Sequence, residues 1–183
     1  MIEAELKARV TAPDVVRRGL EGLVAGRSEV YRDTYYDAPD HALESADQEL
    51  RVRTVHGPDG SRTVLTFKGA RVDDESGSKP EYETGVEDPE AVHALLRGLG
   101  YVPVVEFEKR CRNYAFEAHG RQMLATLVRV PELDGTFLEV ETLTEEPDVA
   151  AALVDMRAVL TSLGIDEDDL TRELYTDAVR ARR

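Results

Sequence analysis

Charged residues recur at alternate positions in several separate stretches of this chain. "EAELK" carries Glu3, Glu5 and Lys7, "LRVR" carries Arg51 and Arg53, "EYE" carries Glu81 and Glu83, and "FLEVE" carries Glu139 and Glu141. Lys68 in "TFKG" and Lys109 in "FEKRCRNY" stand on two further stretches of this kind. On a strand, residues i and i+2 project from one face about 6.5–7 Å apart. Two carboxylates at that distance repel by roughly 2–3 kcal/mol at an effective dielectric of about 20. Gathered around a divalent cation, with Arg and Lys interleaved, the same carboxylates become ligands. Arg meets phosphate through a planar fork, and Lys meets it as a point charge. The chemistry on offer is therefore the handling of phosphate with a metal ion. The plain alternative is the wet face of a half-buried sheet, and the pattern alone leaves both open.

Strands and helices must position these groups. Residues 1–10 alternate as a strand, and 12–25 follow as a helix with Thr11 as cap, Pro13 in the first turn and Gly26 as stop. Strands are expected at 29–38 and 48–55, with a short helix or loop over 40–48 between them. The turn "GPDGS" (57–61) folds 62–69 back as the second arm of a hairpin. A polar, turn-rich loop covers 70–80, then a strand 81–87 and a helix 88–100 capped by Asp88 with Pro89 first. Strands at 103–118, 121–131 and 135–143 follow, and two helices, 147–163 and 166–181, close the chain. The expected class is α+β, as one domain over 1–183. A largely antiparallel sheet of eight strands leaves no exposed edge if it closes into a barrel, with the helices packed outside. The faces opposite the charges (Ile2, Leu6, Leu50, Val52, Leu138, Val140) are apolar enough to lie under those helices, which would turn the charges inward.

Composition bounds the partners. The 183 residues are 42% apolar and 33% charged, with a formal net charge of −14. Such an acidic chain argues against a nucleic-acid or membrane-surface partner, while a narrow basic pocket can still take a small anion. No apolar run approaches the roughly 20 residues of a membrane span, and nothing resembles a signal peptide. The single cysteine, Cys111, forms no internal disulfide and suits a reducing cytoplasm. Its expected role is that of a small buried thiol. His41, His56, His93 and His119 lack metal-ligand spacing and are expected on the surface or in loops.

"EAELK" resembles the Glu-x-Glu-x-Lys signature of the CYTH superfamily, the triphosphate tunnel metalloenzymes. "RDTYYDAPDHAL", "LRVR", "TFKG", "EYE", "EK" before "NY", "FLEVE" and the closing "ELYTDAV" follow in the family's order, over almost the whole chain. The resemblance, nearest to the class IV adenylyl cyclase and thiamine triphosphatase-like branch, implies an eight-stranded tunnel that binds a polyphosphate with Mg²⁺ or Mn²⁺. It implies that Glu3, Glu5, Glu139 and Glu141 hold the metal, with Glu81 and Glu83 as supporting acids. Lys7, Arg51, Arg53, Lys68 and Lys109 match the basic lining, and Glu5, Lys7, Arg53 and Lys68 would carry catalysis. Tyr36 is expected at the tunnel mouth and Tyr175 as a tether of the last helix, with simple packing as the alternative for each.

Two positions depart from the family pattern. Cys111 stands where relatives carry Arg, and Arg110 or Arg112 could substitute as substrate ligands if a bulge shifts the strand face. Val128 stands where relatives carry a metal-binding Asp, and Asp134 is the next acid along. The implied substrate is a small phosphorylated molecule: a nucleotide, thiamine triphosphate, inorganic polyphosphate or another phosphate ester. Three readings follow: a metal-dependent phosphohydrolase, a class IV adenylyl cyclase making cyclic AMP and pyrophosphate from ATP, or a non-catalytic phosphate-ester binder. A homodimer is common among such relatives.

Overall fold

Alternation gives each strand one polar and one apolar surface, and the fold assigns them to opposite sides of a closed wall. The computed structural model describes residues 1–74 and 76–183; the expected loop over 70–80 includes Glu75, which lies outside the described residues. Eight strands form a closed antiparallel barrel in the order β1-β5-β4-β3-β2-β6-β7-β8. They are β1 (Ile2–Val10), β2 (Arg27–Asp37), β3 (Glu49–Gly57), β4 (Gly60–Lys68), β5 (Lys79–Val86), β6 (Val102–Ala118), β7 (Arg121–Arg129) and β8 (Thr136–Thr144). The helices are α1 (Pro13–Glu21), α2 (Ala42–Ser45), α3 (Pro89–Gly98), α4 (Val149–Ser162) and α5 (Tyr175–Arg180).

The apolar faces look outward. Ala4, Leu6, Ala8, Leu138 and Val140 are buried against Leu153, Met156 and Leu160 of α4 and Leu20 of α1. Small Ala side chains on β1 let α4 lie close on the sheet. A second outer cluster joins Tyr36 and Val52 to Val92 and Leu96 of α3. Tyr36 therefore faces away from the barrel interior, and its hydroxyl meets His93 Nδ1 at 2.7 Å. This corrects the expected place of Tyr36 at the tunnel mouth, and it makes His93 a half-buried packing residue.

The last expected helix, 166–181, is broken. Asp166 caps a single 3₁₀ turn (Glu167–Asp169), and Leu170 then bridges to Ala8 of β1. The Thr171 amide donates to the Lys7 carbonyl at 2.8 Å. An open strand edge won these residues away from the helix, so only α5 remains helical. Residues 170–174 instead run beside the barrel, and Tyr175 enters it.

Candidate active site

With the apolar faces outside, strand parity sends Glu3, Glu5 and Lys7 inward, together with their counterparts on the other strands. They surround a chamber of about 300 Å³. In the β1–β8 ladder Glu5 stands opposite Glu141, and Lys7 opposite Glu139. Glu3, Glu5 and Glu141 each offer a carboxylate oxygen within 4.8 Å of the others.

Crowding shows in their protonation. Burial, reinforced by Glu139 and Glu3, raises Glu5 above the usual carboxylate range. Burial, with Glu3 and Glu5, raises Glu141 well above it. Burial also works against ionised Glu3, but Lys68 and further contacts to Glu81 and Arg51 outweigh it and hold Glu3 at about 2. Glu81 is pushed up to about 7 by burial and by Glu3, against the pull of Lys68. Three enclosed carboxylates, of which Glu5 and Glu141 are raised by crowding while Glu3 leans on Lys68, suit a hard divalent cation. Glu139 stands apart from that trio. It accepts from Lys109 Nζ at 3.3 and 3.5 Å, and Lys109 with Lys7 outweighs burial and lowers its pKa.

The basic lining is held in several ways. Arg53 lays its fork on Asp33, at 2.7 Å from Nε and 2.7 Å from Nη2, and stacks over the Tyr31 ring. Asp33 has no exposed side-chain surface; burial would raise it, yet Arg53 holds it at about 2. Lys68 bridges Glu3 and Glu81. Arg51 donates through Nη2 to Thr66 Oγ1 at 3.2 Å and comes no nearer than 4.0 Å to Glu83. Its buried Nε has no partner among the described residues. Glu83 stays at the chamber edge with a 43% exposed side chain. Lys7 and Lys109 sit over the Tyr175 ring, 4.4 and 4.9 Å from its centroid, and Lys7 also donates to the Glu173 carbonyl. Tyr175 thus belongs to the interior as well as opening α5.

An apolar cluster reaches into the interior beside these charges. Phe107, Cys111, Val128, Phe137 and Tyr31 pack with Tyr175 and Val179 of α5. Lys109 inside the barrel puts Cys111 inside too and leaves Arg110 and Arg112 outside. The one register irregularity recorded between β2 and β6 lies at Tyr35/Tyr36, and none is recorded between β6 and β7. Arg110 is exposed and pairs with Glu108; Arg112 pairs with Glu21. This corrects the expectation that either reaches the substrate: no bulge turns the face. Asp134 likewise pairs with Arg182 at the surface. Burial pushes the Cys111 thiol up to about 12, so it stays protonated and unreactive.

Several lining residues escaped the sequence reading. Tyr31 and Tyr35 line the chamber from β2 and share the parity of Asp33, which lies beneath Arg53, and Arg62 shares the parity of Lys68 on β4. That alternation was visible, but β2 mixes Tyr with charge and reads equally as a packing strand. Lys79, which pairs with Asp47 and Glu49, lies two positions before Glu81, inside the stretch 70–80 that its turn-rich composition marks as loop. Arg71 and Arg172 come from loops, where no periodicity marks them.

The comparisons with known proteins agree with this architecture. The family model described as "CYTH domain" matches residues 1–175. The protein named "Putative adenylate cyclase MJ0240" from Methanocaldococcus jannaschii is 27% identical over 180 residues, 97% of this chain and 98% of that protein. The structure of PH1819 from Pyrococcus horikoshii OT3 superposes with a TM-score of 0.84 at 26% identity, covering 99% of each chain. HpAC1 from Hippeastrum carries a similar adenylyl cyclase name and shows a dominant triphosphatase activity. It superposes with a TM-score of 0.68 at 18% identity over 98% of this chain and 95% of its own, a likeness of fold. No helix among the described residues is long and apolar enough to cross a membrane.

Proposed function

Because this chain belongs to the CYTH domain family, we propose that it is a metal-dependent phosphohydrolase acting on a polyphosphate or nucleoside triphosphate inside its charged barrel. The observation that carries the reading is the meeting of Glu3, Glu5 and Glu141 with Arg51 and Lys68 in one enclosed chamber. Glu3, Glu5 and Glu141 would hold Mg²⁺ or Mn²⁺, which when bound neutralises phosphate oxygens and orients them.

Arg51 has an unpartnered Nε–H to give to a phosphate oxygen. Lys68 supplies positive charge beside it, and Arg53, fixed by Asp33, adds a preorganised guanidinium. Donors held in place before the reaction stabilise developing charge without reorganising. Glu81, poised at about 7, suits acceptance of a proton from the attacking water near neutral pH.

The chamber, about 300 Å³, lies at the small end of ligand pockets. Its lining of carboxylates and cations suits a polyphosphate tail, and hydrolysis is the reading we favour over cyclisation. The triphosphatase activity of HpAC1 on the same fold supports the same choice. The second reading, cyclisation of ATP, draws on the name of the M. jannaschii relative. Incubation with ATP and Mn²⁺, followed by chromatography, separates them. ADP and phosphate support hydrolysis; cyclic AMP and pyrophosphate overturn it in favour of cyclisation.

A further inference from the structure

The barrel wall is thin at one seam. β1 and β5 pair only at Ile2↔Pro80 and Glu3↔Lys79. Beyond that point the β1 edge is covered by loop segments. Glu5 N–H donates to Ser78 Oγ at 3.4 Å, and Thr171 N–H donates to the Lys7 carbonyl at 2.8 Å. Against the outside of this seam lies a second cavity of about 320 Å³. It shares Glu5, Lys7, Ser76, Gly77, Thr171 and Arg172 with the main chamber. The two spaces are separated there by little more than the segments that cover the seam.

Arg172 lines both cavities. Its guanidinium donates to the carbonyl of Asp74 and meets no carboxylate among the described residues. Of the other chamber arginines, Arg53, Arg62 and Arg71 are neutralised by Asp33, Glu29 and Asp47, and Arg51 comes within 4.0 Å of Glu83. Arg157, on the far wall of the second cavity, pairs with Glu167 at 2.9 Å. A guanidinium bonded only to a neutral carbonyl keeps its charge and its remaining N–H donors for an anion.

We propose that Arg172 is a further anion-binding residue, and that the polyphosphate site extends from the chamber to it along the segments that cover the β1–β5 seam. Arg172 there holds the phosphate group at the end of the bound chain. The inference rests on the reading of the chamber as a polyphosphate site and adds a ligand outside its strand-borne lining.

Calorimetric titration of the Mn²⁺-loaded protein with inorganic tripolyphosphate tests it. Arg172→Ala should weaken binding about tenfold, and Arg172→Gln should weaken it equally. The glutamine keeps a donor for the Asp74 carbonyl but carries no charge, so a loop-holding role would leave it close to wild type. Arg182→Ala, which removes an exposed arginine paired with Asp134, should change nothing. Wild-type affinity in Arg172→Ala, or in Arg172→Gln alone, overturns the proposal and leaves the chamber reading standing. Failure of the wild-type protein to bind tripolyphosphate overturns both.

Discussion

Cys111 and Val128 stand directly opposite each other on β6 and β7, both buried inside the barrel. They are the two positions at which the family resemblance leads one to expect Arg and Asp. The two departures thus fall at one place: where the resemblance implies an opposed pair of charges, this chain carries an opposed pair of small apolar groups. Phe107, Phe137 and Tyr175 belong to the apolar cluster around them, while Glu29, opposite Cys111 on β2, is buried and neutralised by Arg27 and Arg62.

Restoring the pair should show coupling. Cys111→Arg alone and Val128→Asp alone each bury an unpaired charge and should cost about 3–5 kcal/mol. The double variant should lose at least about 1 kcal/mol less than the sum of the two, as read by urea denaturation in a double-mutant cycle. Simple additivity would mean that the two side chains do not meet.

Glu5→Gln should separate stability from metal binding. Removing one of three crowded carboxylates relieves repulsion, so the metal-free variant should melt at or above the wild-type temperature. It should also lose the thermal stabilisation that Mn²⁺ gives the wild type, and with it metal-dependent turnover. A variant still stabilised by Mn²⁺ to the wild-type extent would place Glu5 outside the cation site.

Metal uptake should depend on pH with a definite sign. Glu5 and Glu141 are raised, and Glu81 lies at about 7, so the metal-free protein holds protons that its unfolded chain has released. For Glu81, stability of the metal-free fold should therefore fall as pH rises from about 4.5 to about 7. Mn²⁺ affinity should rise over the same window, with protons released on binding. Calorimetry in two buffers of different ionisation enthalpy measures that release; identical heats would contradict it.

Arg53 is tied to Asp33, so it should not tolerate lysine. Arg53→Ala should raise KM for the triphosphate about tenfold or more. Arg53→Lys should recover little, because a point charge does not reproduce the fork on Asp33. A KM unchanged in Arg53→Ala would remove Arg53 from the substrate's path.

Much of the barrel was readable because a strand period of two leaves few choices. Once Ile2, Leu6 and Val140 go under helices, Glu3, Glu5 and Glu141 must share the interior. Pattern alone left inside and outside open, and the packing of α4 on β1 decides it. The same parity rule, applied strictly, places Cys111 inward and Arg110 outward, as found. What stayed illegible lies off the strands. Nothing in "DLTRELYTDAV" says that Leu170 will bridge an open edge at Ala8 rather than continue a helix. Nor does it say that Tyr175 will stand between Lys7 and Lys109. Asp33 was hidden for a different reason: it neutralises Arg53 from a neighbouring strand, 20 positions away in sequence.

The most direct test is a crystal soaked with Mn²⁺ and examined by anomalous scattering. The expected result is a peak inside the barrel, ligated by the carboxylates of Glu3, Glu5 and Glu141. Manganese found only on outer acids, with Glu3 bound solely to Lys68 and no density among the three glutamates, would contradict it.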